Sequence, residues 1–96
     1  MVTGFVFLTV ERDKINSVAE EITEIDGISE VYSVSGRFDL IAVIRAKDNE
    51  HLADIVTGHL LTIGGIKTSE TMFAFKVYSK HDLERMFSIG YGPKEA

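Results

Sequence analysis

Along residues 3–10 nearly every position is apolar or β-branched. Phe5 and Phe7 fall to one side and Val6, Leu8 and Val10 to the other, which predicts a first strand. The period changes after Asp13, the expected N-cap of a helix beginning at Lys14. Ile15, Val18, Ala19, Ile22 and Ile25 recur there at helical spacing with acids opposite, and Gly27 closes the stripe. Two strands follow, over residues 28–35 and 38–46. They meet at a tight turn centred on Gly36 and Arg37, where glycine supplies the positive φ of a two-residue hairpin turn. Asp48 is the expected cap of a second helix, with Glu50 in its first turn where the helix dipole favours an acid. Leu52, Ile55, Val56, Leu60 and Ile63 form its stripe, and Gly64 and Gly65 stop it. Residues 66–78 read as the fourth strand.

The order β-α-β-β-α-β contains an echo of itself, since Ile25, Asp26, Gly27 and Ile28 close the first helix as Ile63, Gly64, Gly65 and Ile66 close the second. Two such units joined by a hairpin make an α+β fold of the ferredoxin-like kind, with both helices on one face of a four-stranded antiparallel sheet. The first and fourth strands are apolar on both sides, and in the fourth Phe73, Phe75 and Val77 alternate with Met72, Ala74 and Tyr78. Two helices cover one face only. The other would expose more apolar area than a monomer usually tolerates, so a two-fold homodimer packed sheet to sheet is expected. Residues 80–96 read as an extension. Leu83, Met86 and Phe87 mark a short amphipathic helix, lying on the body or reaching a neighbouring subunit, and the stretch 89–93, ending in Pro93, cannot be regular helix.

Composition narrows the function. Ninety-six residues allow a single core, and 45% hydrophobic with 26% charged residues is the balance of a folded domain. The absence of Cys excludes disulfides and thiolate metal sites and fits a reducing compartment, so a cytoplasmic location is expected. A net charge of -5 with scattered basic residues argues against a nucleic-acid footprint. No apolar run has the length of a membrane span, and the first strand lacks the basic flank of a signal peptide.

The candidate chemistry is sparse. His51, His59 and His81 form no catalytic or metal-ligating pattern, and no acid spacing completes a metal set. The Gly36 turn offers more. Its backbone N–H groups can face a carboxylate, Arg37 can pair with the same anion, and Asp39 can hold an ammonium group. Together these suit an amino-acid zwitterion. Against this, Asp at a turn exit often bonds nearby backbone N–H groups, and an arginine at a hairpin tip is often only solvated. Ser69 and Thr71, two residues apart, point hydroxyls to one face, although Thr is also a good strand former.

These residues resemble a known family. The run Ser35, Gly36, Arg37, Phe38, Asp39, the apolar strand after it, and Ile63, Gly64, Gly65, Ile66, Lys67 leading to Ser69, Glu70 and Thr71 are similar to the effector-binding (RAM) domain of Lrp/AsnC regulators. The similarity covers residues 2–79. It implies the same fold, dimers paired through their sheets, dimers assembled into rings, and small effectors, usually amino acids, in clefts between dimers. No cofactor, metal or catalytic activity is expected. Carried over by position, it implicates Gly36, Arg37, Asp39, Ser69 and Thr71 in binding. The family's regulators carry a helix-turn-helix ahead of this domain, whereas here the first strand follows Met1 closely. The expectation is therefore a stand-alone sensing domain over residues 1–79, followed by the extension 80–96. It would bind no DNA itself and would modulate full-length Lrp/AsnC regulators by co-assembly. The alternatives are a small enzyme of the dimeric α+β barrel type using Tyr32 or His59, and an oligomerisation module without a ligand.

Overall fold

In the computed structural model, which describes residues 1–80, the elements follow the hydrophobic periods. They are β1 (Val2–Val10), a 3-10 turn (Arg12–Lys14), α1 (Ile15–Thr23), β2 (Ile28–Ser33), β3 (Leu40–Ala46), α2 (Asn49–Gly58), a second 3-10 turn (Leu60–Thr62) and β4 (Ile66–Phe73). The strands form one antiparallel sheet in the order β2-β3-β1-β4, the ferredoxin-like arrangement.

Residues directly opposite on antiparallel strands share a face. Val6 lies between Ala42 and Thr71, and Leu8 between Leu40 and Ser69. Val6, Leu8, Leu40, Ala42 and Ile44 are fully buried beneath Val18 and Ile22 of α1 and Leu52, Ile55 and Val56 of α2. This helical face is the core. On the other side Phe5 and Phe7 stand beside Val43 and Ile41. Among the described residues no helix covers them, and Tyr32 and Met72 on the flanking strands remain 49% and 48% exposed.

Three local expectations change. Asp13 does not cap α1, because the 3-10 turn over Arg12–Lys14 takes its place and neither that turn nor α1 has a side-chain cap. The hairpin between β2 and β3 is looser than a two-residue turn. Val34 N donates to Asp39 O at 3.0 Å and leaves residues 35–38 as the loop, although Gly36 does adopt the positive φ, at 105°. β4 ends at Phe73, short of residue 78. Ala74 N still donates to Thr3 O at 2.9 Å, but the ladder goes no further, although β1 itself reaches back to Val2. The second helix is capped as expected, Asp48 Oδ1 accepting from His51 N at 2.7 Å. The C-terminal helix expected around Leu83, Met86 and Phe87, and His81 with it, lies outside the described residues. Among those described, no helix is long and apolar enough to cross a membrane.

Candidate functional site

Asp39 ties the end of the loop after β2 to β1. Asp39 N donates to Leu8 O at 2.8 Å, Asp39 O accepts from Val34 N, and the carboxylate Oδ2 accepts from Val10 N at 2.8 Å. The β1-β3 ladder ends at Leu8 opposite Leu40, and the β1-β4 register shifts between Thr9 and Val10. Val10 is 4% exposed, and its N–H would otherwise find no strand carbonyl on the β3 side. The side-chain oxygen takes that role, supplying a bond whose absence would cost about 1–3 kcal/mol. Asp39 at the head of an apolar strand is thereby explained without a ligand.

Phe38 leans over the open side of the sheet, its ring 5.2 Å from that of Phe7, and the Arg37 guanidinium sits 5.2 Å from the centre of the Phe38 ring. Arg37 has no acidic partner among the described residues, where the single ion pair joins Lys14 and Glu11. At Gly36 an added Cβ would meet nothing within 4 Å, so the crown of the loop is open.

Ser69 and Thr71 share a face, as their spacing predicts, and both are exposed on the edge strand β4. Their register with Leu8 and Val6 puts them on the helical side. Leu8 lies between Ser69 on β4 and Leu40, the residue after Asp39, on β3. Arg37 and the two hydroxyls do not converge, since they lie on opposite sides of the sheet within one chain.

One feature was not legible in the sequence: a groove of about 620 Å³ on the open side, floored by Phe5 and Val43 and walled by Tyr32, Arg45, Phe75 and Tyr78. The alternation of β1 points to its floor, but its wall comes from the irregular segment after β4, which no period marks. Tyr32 donates its hydroxyl to Glu30 Oε2 at 2.6 Å. That bond, helped by the charge of Glu30, raises the phenol above its usual value, so it keeps its proton and is a poor base. His51 Nδ1 accepts from Lys47 N at 3.4 Å, and His59 ends α2, its carbonyl accepting from Thr62. Both histidines line a second groove beside Glu24, Asp26 and Asp54. Among the described residues no three side chains are grouped to hold a metal.

Comparison with known proteins converges on one family. The model of the Lrp/AsnC ligand binding domain matches residues 3–83. The HTH-type transcriptional regulator PH1916 of Pyrococcus horikoshii is 34% identical over 76 residues, which make up 76% of this chain and 51% of the relative. The chain spans about half the length of the curated relatives it matches. Among solved structures, TTHA0845 from Thermus thermophilus is similar at a TM-score of 0.78 and 39% identity, covering 83% of this chain and 100% of that one. The L-Met complex of the transcriptional regulator NMB0573 from Neisseria meningitidis shares the fold, with a TM-score of 0.70 at 16% identity, over 78% of this chain and 50% of that one.

Proposed function

The chain belongs to the Lrp/AsnC ligand-binding domain family, and from that premise we propose that it is a regulatory sensor of an amino acid or closely related metabolite. The observation that carries this reading is the match to a ligand-binding domain across residues 3–83, with the Gly36 loop open at its crown. The N–H groups of the loop and the Arg37 guanidinium take the effector carboxylate. Asp39 supplies the negative charge that faces the ammonium group, and Ser69 and Thr71 add hydroxyl contacts. Arg37 and those hydroxyls lie on opposite sides of one sheet, so the two halves of the site meet where copies of the chain touch. This favours a cleft between dimers.

The dimer itself forms through the open side of the sheet, where Phe5, Phe7, Ile41, Tyr32 and Met72 have no helix over them among the described residues. A second copy is the simplest cover for such a face. The module acts on transcription by assembling with regulators of the same family, and the bound complex of the Neisseria meningitidis regulator makes L-methionine the first effector to try.

A thermal-shift screen against the twenty amino acids tests the sensor reading. A ligand that binds only the folded state stabilises it by about 2.7 kcal/mol at a hundredfold excess over Kd, and the effective amino acid should raise the melting temperature by several degrees. A flat response across all twenty at millimolar concentration would rule out an amino-acid effector.

A further inference from the structure

We propose that Asp39 is a positioning residue, its carboxylate standing in for a strand carbonyl and fixing the Gly36 loop to the end of β1. As far as it concerns effector binding, the proposal rests on the sensor reading above; the clamp itself does not. All three polar parts of Asp39 are engaged with backbone: N–H to Leu8 O at 2.8 Å, carbonyl from Val34 N at 3.0 Å, and Oδ2 from Val10 N at 2.8 Å. The first two bonds are available to any residue other than proline. Only the third depends on the side chain, and it reaches Val10, the first residue beyond the shift in the β1-β4 register.

The consequence is geometric. The crown of the loop is open at Gly36, where an added Cβ meets nothing within 4 Å. The loop is anchored from below by two contacts on adjacent residues. The Phe38 ring rests on Phe7 at the open side, and the Asp39 carboxylate lies in line with the strands at Val10. The ring is free to slide on an apolar neighbour, whereas the hydrogen bond is directional. The carboxylate therefore sets the height and direction from which the loop N–H groups meet an anion. An effect of Asp39 on effector affinity then contains two separable parts, a charge felt by the ligand and a loop held in place.

Amide hydrogen exchange by NMR on the ligand-free protein separates them, comparing wild type with Asp39→Asn and Asp39→Ala. Asparagine keeps an oxygen that can accept from Val10 N but loses the charge; alanine loses both. In Asp39→Ala the exchange of Val10 should speed up by about tenfold, the change for a net bond of about 1.4 kcal/mol. The Gly36 and Arg37 amide resonances should shift with it. In Asp39→Asn, Val10 protection and the loop resonances should stay near wild type. Wild-type protection of Val10 in Asp39→Ala, or lost protection in a folded Asp39→Asn protein, would overturn the assignment. Should Asp39→Ala not fold, the Asp39→Asn result decides alone. No ligand enters the measurement, so failure of the effector screen would remove the sensor reading and leave this result standing.

Discussion

The Phe38 ring packs on Phe7 with centroids 5.2 Å apart and planes tilted by 51°, joining the β2-β3 loop to the central strand on the side opposite the core. A tilted aromatic pair is worth about 0.5–1.5 kcal/mol beyond the area it buries. Phe38→Ala should therefore lower stability by about 1–2 kcal/mol in urea unfolding, less than a core Phe→Ala because the ring is only half-buried. Phe38→Leu should recover the burial part alone. A loss of stability below about 0.3 kcal/mol in Phe38→Ala would mean that the ring adds nothing to the loop's anchorage.

Gly27 and Gly36 both hold positive φ, at 99° and 105°, but differ in surroundings. A Cβ on Gly36 meets open space, whereas one on Gly27 would lie 2.5 Å from Ile55 Cδ1, in the core under α2. Gly36→Ala should cost about 1–2 kcal/mol from backbone strain, and Gly27→Ala about 1–3 kcal/mol more from overpacking. Thermal melts of the two variants check the order. Equal losses would contradict the packing at Gly27.

The Asp48 cap is a local feature and should behave as one. Asp48→Ala removes the acceptor for His51 N and should cost about 1 kcal/mol, while Asp48→Ser or Asp48→Asn should restore most of it. Circular dichroism melts distinguish this from a general sensitivity of the position, in which all three substitutions would cost alike.

What was legible in the sequence follows from the range of the forces involved. The face assignment of β1 could be read directly, since a half-buried antiparallel strand must alternate and Val6, Leu8 and Val10 are all in the core. The Asp48 cap needs only three residues of context, and it too was visible. The end of β4 was not, because residues 74–78 keep the apolar alternation of a strand, and only the pairing with β1, at the far end of the chain, shows where the ladder stops. The same holds for Asp39. Its type and place stood out, but the identity of its partner, Val10, is set by a register shift on another strand. The sequence could name the five candidate site residues but not their sides, so the separation of Arg37 from Ser69 and Thr71 emerged only from the β4 register and from the stacking of Arg37 on Phe38 over Phe7.

The Tyr32 phenol provides a pH marker on the open side of the sheet. Its pKa is raised above the usual 10.0, first by the hydrogen bond to Glu30 and also by the charge of that carboxylate. For a group whose pKa is higher folded than unfolded, the stabilisation is complete below the unfolded value and is lost as pH rises through the folded one. The small contribution of the neutral phenol should thus persist to about pH 10 and vanish above it. In a Tyr78→Phe, Tyr91→Phe background the ultraviolet titration should report Tyr32 alone, and Glu30→Gln should move its midpoint down towards the usual phenol value. An unchanged midpoint would show that the Glu30 bond does not hold in solution.

Met72 tests the proposed sheet-to-sheet dimer. It lies on β4 opposite Phe5, on the side away from α1 and α2, and is 48% exposed in the single chain. A carboxylate there stays hydrated while the chain is alone but would be buried without a partner between two packed sheets, at a cost of several kcal/mol. Met72→Glu should therefore leave the circular dichroism spectrum and the monomer fold intact while shifting the mass measured by light scattering to that of one chain. Ala53→Glu, an equal charge on the exposed side of α2, should leave the assembly unchanged. If Met72→Glu keeps the wild-type mass, the open side is not where the copies meet. Arg37 and the hydroxyls of Ser69 and Thr71 would then have to be brought together by a different contact.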